Sequence, residues 1–300
     1  MPRLQLCILG GSGFVGKHLV TRFAERGFDI KVLTRSTARH RELLVLPAVR
    51  LVQADVFDVT TLKDEFAGCD GVINLVGILN ERGHRGRGFQ RAHVQLAQHV
   101  LDACIATGVQ RLLHMSALNA ALDAPSHYLR SKGEAARRVL AAADRLKVTV
   151  FEPSVIFGAD DSFMNRFVGL LRLMPVFPLA CPQARFAPVY VSDVADTFVH
   201  SYADATTFGR RYCLCGPSVY SLRELVRMAA RALHLHRWVI GLPGWASWLQ
   251  AAVMEWLPGK PLSLDNYNSL KLDSVCSADN LSSFDITPTP LEAILPAYLR

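Results

Sequence analysis

The chain has 300 residues, half of them apolar, with 20 Gly, 15 Pro and no low-complexity tract, which excludes a disordered or fibrous protein and suits a compact α/β body of one large domain or two lobes. Its net charge of +7 comes from 26 arginines against seven lysines in runs of at most two. Without a dense basic block this argues against nucleic-acid binding, while a positive field suits an anionic small molecule or an anionic membrane surface.

The first element is an apolar strand, Leu4 to Leu9, which breaks into Gly10-Gly11-Ser12-Gly13-Phe14-Val15-Gly16. A helical pattern follows with Leu19, Val20 and Phe23, and Gly27 closes it. Glycines at 10, 13 and 16 meet the needs of a dinucleotide site: a tight turn, close approach of backbone to pyrophosphate, and close packing of helix on strand. The phosphates would sit on the helix N-terminus, where unpaired N–H groups and the helix dipole favour anions. Ile30, Val32 and Leu33 form the second strand, which runs into Thr34-Arg35-Ser36 with Arg39 and Arg41 behind. An acidic residue there would hold a ribose 2′-OH, whereas Arg35 suits a 2′-phosphate, so NADP(H) is preferred over NAD(H).

Leu51-Val52-Gln53 then leads to Asp55-Val56, a helix spans Thr60 to Phe66, and Val72 to Gly77 reads as a buried parallel strand. Open α/β sheets bind ligands at the carboxyl ends of their strands, which assigns Asp55 and Val56 to adenine and Leu75, Val76 and Gly77 to the route toward nicotinamide. The basic, glycine-rich stretch 81–88 reads first as a solvated loop and second as a lid over an anionic substrate. A helix around Val94 to Ala106 ends at Gly108 and feeds the strand Leu112 to Met115, which closes on Ser116. Twelve residues on, Tyr128 and Lys132 stand four apart and so share a helix face. A neighbouring ammonium lowers a phenol pKa, so the pair reads as acid/base machinery, with Ser116 orienting a substrate oxygen.

The glycine turn, Ser116, Tyr128 and Lys132 resemble the extended short-chain dehydrogenase/reductase (epimerase/dehydratase) superfamily. Ile73 to Gly77, His114 to Ala120, Tyr128 to Glu134, Pro153-Ser154, Ile156 to Gly158, Pro188 to Val191, Gly216-Pro217 and Thr289 to Glu292 resemble, over nearly the whole chain, an atypical branch. That branch includes the nucleotide-binding alpha-subcomplex accessory subunit of respiratory complex I. The resemblance implies an α/β, Rossmann-like doubly wound parallel sheet with a smaller C-terminal α/β lobe, divided as 1–177 and 178–300 with later segments returning to the first part. It also implies a bound NADP(H), with Pro153, Ser154 and Val155 as cofactor neighbours. Two functions follow: an NAD(P)-dependent oxidoreductase acting on an unidentified small molecule, or an NADP(H)-loaded accessory or assembly protein of a respiratory or quinone-linked membrane system. An NAD-dependent sugar-nucleotide epimerase is disfavoured by Arg35 and by the short spacing from Ser116 to Tyr128. Glu152 departs from the branch, and a carboxylate there would disturb the nicotinamide end.

In the C-terminal third, Ala187 to Val191 reads as a strand, Ser192-Asp193 as an N-cap, and Ser221 with Glu224 as a capping box. Seven cysteines, an odd number at irregular spacing, give no disulfide framework; Cys213 and Cys215 read as strand residues rather than metal ligands, so no metal is expected. The opening apolar run is too short for a signal peptide, which makes the expected location cytoplasmic, with the inner face of the cytoplasmic membrane as the peripheral alternative. Trp238 to Leu257 has a single charge, Glu255, but Gly241-Leu242-Pro243-Gly244 interrupts it before it could span a bilayer. It reads first as a buried helix; exposure of Trp245, Trp248 and Trp256 would instead mark a membrane or partner surface.

Overall fold

The computed structural model describes residues 3–278 and 280–299. Its strands are β1 (Gln5–Leu9), β2 (Asp29–Thr34), β3 (Val49–Gln53), β4 (Gly71–Asn74), β5 (Arg111–Met115), β6 (Lys147–Pro153), β7 (Ile156–Phe157), β8 (Val176–Leu179), β9 (Arg185–Phe186), β10 (Val189–Tyr190), β11 (Arg210–Leu214), β12 (Tyr220–Ser221) and β13 (Trp238–Gly241). The helices are α1 (Phe14–Glu25), α2 (Val59–Phe66), α3 (Arg87–Phe89), α4 (Leu96–Thr107), α5 (His127–Leu140), α6 (Ser162–Leu173), α7 (Val191–Ala203), α8 (Leu222–Ala232), α9 (Gly244–Met254), α10 (Leu264–Ser269) and α11 (Leu291–Tyr298).

Seven strands form one parallel sheet in the order β11-β6-β5-β4-β1-β2-β3. Successive side chains of a strand leave opposite faces, so a strand covered on both sides must be apolar throughout. In β1, Leu6 and Ile8 pack with Phe23 of α1 and Phe198 of α7, whereas Cys7 and Leu9 pack with Phe66 of α2, Val100 of α4 and Val139 of α5. The sheet is thus a doubly wound, Rossmann-like layer with helices on both faces. Strand β11 and helix α7 come from beyond residue 178 and complete this layer.

A third core, with Phe157, Leu171, Phe177, Leu225, Val226 and Leu295 at its centre, gathers α6, α8 and α11 around the short β8–β13 ribbon. Two local expectations are corrected. Helix α7 begins at Val191 with Tyr190 at the N-cap and no side-chain cap, because the Asp193 carboxylate turns inward to accept from Thr289 N at 2.7 Å and Thr289 Oγ1 at 2.9 Å. A disulfide joins Cys215, just past β11, to Cys276, a pairing across 61 residues that spacing gave no means to see. The capping box at Ser221 and Glu224 is present at the start of α8.

Candidate functional site

Because all seven strands run parallel, their carboxyl ends share one edge, and the chain reverses direction across the sheet between β1 and β4. Such a switch point is where open α/β sheets bind their ligands. The turn after β1 lies at this point: Gly10 adopts φ +77°, which side chains disfavour, and Gly13 N donates to Gly10 O at 3.0 Å. A Cβ at Gly16 would overlap Gly10 O and stand 2.5 Å from Gly11 Cα, so only glycine lets α1 close on the turn. Gly11, Ser12 and Gly13 lead directly into α1 at Phe14, Val15 and Gly16, and this helix start has neither a side-chain cap nor an acidic residue in its first turn. The N-terminal N–H groups of α1 therefore suit a pyrophosphate.

To one side of this turn, Arg35 follows β2 and is exposed, and Asp55 follows β3, where its Oδ1 accepts from Phe57 N at 3.0 Å and shapes the turn. Val56 packs against the core beneath. To the other side, Asn74 Oδ1 accepts from Val76 N at 3.1 Å, fixing the Leu75-Val76-Gly77 exit from β4. Ser116 ends β5, buried, with its Oγ donating to Lys132 O at 3.3 Å. Pro153, Ser154 and Val155 end β6; Ser154 Oγ donates to Ser274 O at 2.7 Å, and Val155 O accepts from Val189 N at 2.9 Å. The carboxylate of Glu152 is held toward β11, with Arg211 at 3.6 Å and Cys213 Sγ donating at 3.8 Å.

Helix α5 brings Tyr128 and Lys132 to the same edge. Lys132 is buried and its Nζ donates to Met115 O at 3.0 Å; a Cβ at Gly77 would lie 3.0 Å from that nitrogen, so the ammonium sits between the ends of β4 and β5. Burial lowers its pKa to about 8. Tyr128 is half-buried, and its ring lies edge-on to His93 and Phe89, with centroids at 5.6 and 6.0 Å. The expected lowering of the phenol by Lys132 is corrected: burial pushes Tyr128 up to about 12, and the ammonium is engaged by the Met115 carbonyl.

Sequence reasoning passed over the groups that hold this arrangement. His93 lies in a π-helical stretch, Gln90–Gln95, ahead of α4. Ile78 N donates to its Nε2 at 3.1 Å, which assigns the ring proton to Nδ1, and Nδ1 donates to Ser131 Oγ at 2.7 Å. Ser131 Oγ in turn donates to Tyr128 O at 2.8 Å. A neutral imidazole thus ties the β4 exit to the first turn of α5. Burial, and then the Lys132 charge, push its pKa down to about 2; the same causes push buried His114 down to about 3. The first turn of α5 is also held from α10, where Asp265 accepts from His127 N at 2.6 Å and Tyr128 N at 3.1 Å. Beside that cap lies a cavity of about 420 Å³, bounded by Phe89, His127 and Asp265 inside and by His84, Trp248 and Trp256 outside.

The 81–88 stretch is a largely exposed loop pinned at three points: the Glu81 carboxylate accepts from Gly86 N and Gly88 N, both at 2.6 Å, and Lys260 Nζ donates to Gly83 O at 3.1 Å. Among the described residues, no helix is long and apolar enough to cross a membrane.

The chain is 29% identical over 299 residues to NADH dehydrogenase (ubiquinone) 1 alpha subcomplex subunit 9, mitochondrial, of Arabidopsis thaliana, covering 94% of this chain and 73% of that protein. It is 29% identical over 197 residues to a ceramide reductase of Caulobacter vibrioides, covering 65% of this chain and 59% of that one. Among solved structures, MoeE5 in complex with UDP-glucose and NAD superposes with a TM-score of 0.77 at 20% identity, covering 98% of this chain and 97% of that chain, a likeness of fold. Residues 10–164, just over half of the chain, match the NAD(P)H-binding family model, and with its glycine turn at the sheet's switch point the chain belongs to that family.

Proposed function

We propose that this protein is an NADP(H)-dependent oxidoreductase of the short-chain dehydrogenase/reductase type that interconverts a carbonyl and an alcohol on a small molecule. The observation that carries this reading is the approach of α5 to the strand ends, with Lys132 Nζ at Met115 O, one residue before Ser116, and Tyr128 one turn earlier on the same helix. In the reductive direction Tyr128 donates its proton to the oxygen of the opening C=O bond, and a phenol raised to about 12 keeps that proton at neutral pH. Ser116 orients the reacting oxygen. Lys132, charged below about pH 8, holds ribose hydroxyls, and Arg35 holds the 2′-phosphate that selects NADP(H) over NAD(H). The bound nicotinamide supplies the hydride. Gly10 to Gly16 receive the pyrophosphate, Asp55 and Val56 border adenine, and Leu75, Val76, Gly77, Pro153, Ser154 and Val155 border the nicotinamide.

The test follows NADPH oxidation over a panel of short-chain and long-chain ketones, the latter suggested by the relative named ceramide reductase. Tyr128→Phe is expected to lower kcat by roughly 10²- to 10⁴-fold, the usual contribution of a positioned acid, while NADPH binding persists. Turnover that survives the change would remove Tyr128 from the reaction.

A second reading is favoured by the extent of the likeness to the complex I subunit, which covers 94% of this chain. In it NADP(H) is held as a structural group of an accessory or assembly protein of a respiratory or quinone-linked system at the inner face of the cytoplasmic membrane. Stoichiometric NADP(H) that resists dialysis, with no turnover on any ketone, would favour this reading over the first.

A further inference from the structure

Helix α9 is built inside out. The residues it turns toward the protein, Ser247, Ala251 and then Glu255 immediately past its end, are small or polar and buried, and they recur every four positions along one face. Ser247 Oγ accepts from Cys181 N at 3.1 Å, Gln250 Nε2 donates to Pro178 O at 2.9 Å, and Glu255 meets His84 Nδ1 at 2.9 Å, so the inner side is held by polar contacts. Its outer face carries Trp245 at 73% exposure, Trp248 at 51%, Leu249 and Val253, continued by Trp256 at 81% and Leu257. The β8–β13 ribbon extends the same pattern: Phe177 and Val239 face the core, while Val176, Trp238 at 75% exposure and Ile240 face out. Exposed apolar surface of the kind α9 presents marks an interaction site.

We infer that this face docks the protein on a bilayer bearing anionic headgroups. Aromatic residues with one apolar and one polar edge favour the headgroup boundary, and no charged side chain interrupts α9. The rim supplies the matching charge: Arg82 and Arg85 are exposed beside His84, whose ring centroid lies 5.6 Å from that of Trp256, and Arg237 precedes Trp238 at the start of the segment. The carboxylates of the rim are turned away, Glu81 onto the N–H groups of Gly86 and Gly88 and Glu255 onto His84 and Lys260. A surface basic at its edge and apolar at its centre suits an anionic membrane. Trp248 and Trp256 also border the 420 Å³ cavity that reaches the first turn of α5. Resting on the oxidoreductase reading, this makes the substrate an amphiphile drawn from the bilayer; the docking itself does not depend on turnover.

The chain has four tryptophans, Trp238, Trp245, Trp248 and Trp256, all exposed and three of them on α9 or just past its end, so the fluorescence of the unaltered protein reports on the exposed rings of this segment. The full chain is titrated with phosphatidylcholine vesicles with and without phosphatidylglycerol, and with acyl chains brominated. The expected result is a blue shift and bromine quenching on the phosphatidylglycerol vesicles, weakened by added salt. The double variant Trp245→Ser/Leu249→Ser is expected to sediment with those vesicles roughly tenfold more weakly, since interfacial affinity follows buried apolar area, while retaining dinucleotide as a check of folding. Absence of quenching in the unaltered protein, or sedimentation indifferent to the double variant, overturns the inference. So does a concentration-dependent dimer that shields the tryptophans without vesicle binding, which would assign the face to a second copy of the chain. Ketone turnover without vesicle binding would overturn the docking and leave the oxidoreductase reading standing.

Discussion

At the scale of single residues, the proposed preference for NADP(H) rests on Arg35, and its position is as informative as its charge. It follows Thr34 at the end of β2, is exposed, and has no ion-pair partner among the described residues, so its guanidinium is available to a phosphate. A charge-assisted hydrogen bond contributes about 1.5–3 kcal/mol, and a carboxylate in its place adds repulsion. Arg35→Asp is therefore expected to weaken NADPH binding by roughly 10- to 100-fold while leaving NADH binding within a few-fold, as read by titration calorimetry on the apoprotein. Equal losses for the two nucleotides would show that Arg35 supports the fold of the site and does not read the 2′-phosphate. The identity and place of this residue were legible in the sequence because strand ends are local features. The protonation of Tyr128 was not: a phenol four residues from a lysine was expected to titrate low, and its burial, which sequence does not display, moves it up instead.

At the scale of elements, the parallel strands were legible because burial on both faces forces unbroken apolar runs, and the glycine turn because backbone approach tolerates no side chain. The π-helical stretch at Gln90–Gln95 was not, since a local change of helical period leaves no mark in an apolar pattern read at 3.6 residues per turn. Nor was the cap of α5 by Asp265, a partner 137 residues away from Tyr128. The π stretch places His93 between Ile78 and Ser131, and its burial has a consequence for acid stability. Its folded pKa is depressed to about 2, so the native imidazole stays neutral, whereas in the unfolded chain it takes up a proton below about 6.5. The unfolded state then binds more protons, and stability is lost as pH falls through 6.5, at about 1.4 kcal/mol per pH unit for one such group once the unfolded histidine is fully charged. His93→Gln keeps an acceptor for Ile78 N but cannot titrate. Urea unfolding at successive pH values between 6 and 4 is expected to show a shallower dependence for the variant by about that amount, with His114 sustaining part of the remainder. An unchanged slope would mean that His93 is charged, or solvated, in the folded protein.

At the scale of the whole molecule, the sheet and the C-terminal elements are joined by more than packing. The Cys215–Cys276 disulfide starts just past β11 of the main sheet and returns after α10, so the 61-residue span it closes contains α8 and β13, which belong to the third core, and α9 with its exposed tryptophans. Pairing between residues so distant depends on the complete fold, which is why an odd number of irregularly spaced cysteines pointed to no cross-link. The polar contacts near its ends, Asn280 Nδ2 donating to Cys213 O at 3.0 Å and Ser154 Oγ to Ser274 O at 2.7 Å, bring the same return segment against the strand ends where Pro153 and Ser154 stand. Closing a loop of this length removes unfolded-chain entropy equivalent to about 4 kcal/mol, a large part of the net stability of a typical domain. Unfolding in urea is therefore expected to give a stability lower by about that amount for Cys215→Ser/Cys276→Ser than for the oxidised protein, and the reduced unaltered chain should match the variant. Because α5 is capped by Asp265 from within the closed span, the variant is also expected to bind NADPH more weakly wherever the C-terminal elements open before the sheet does. Equal stability of the oxidised protein and the double variant would show that the third core holds the C-terminal elements against the sheet by packing alone, with the disulfide adding no constraint to a chain already compact when unfolded.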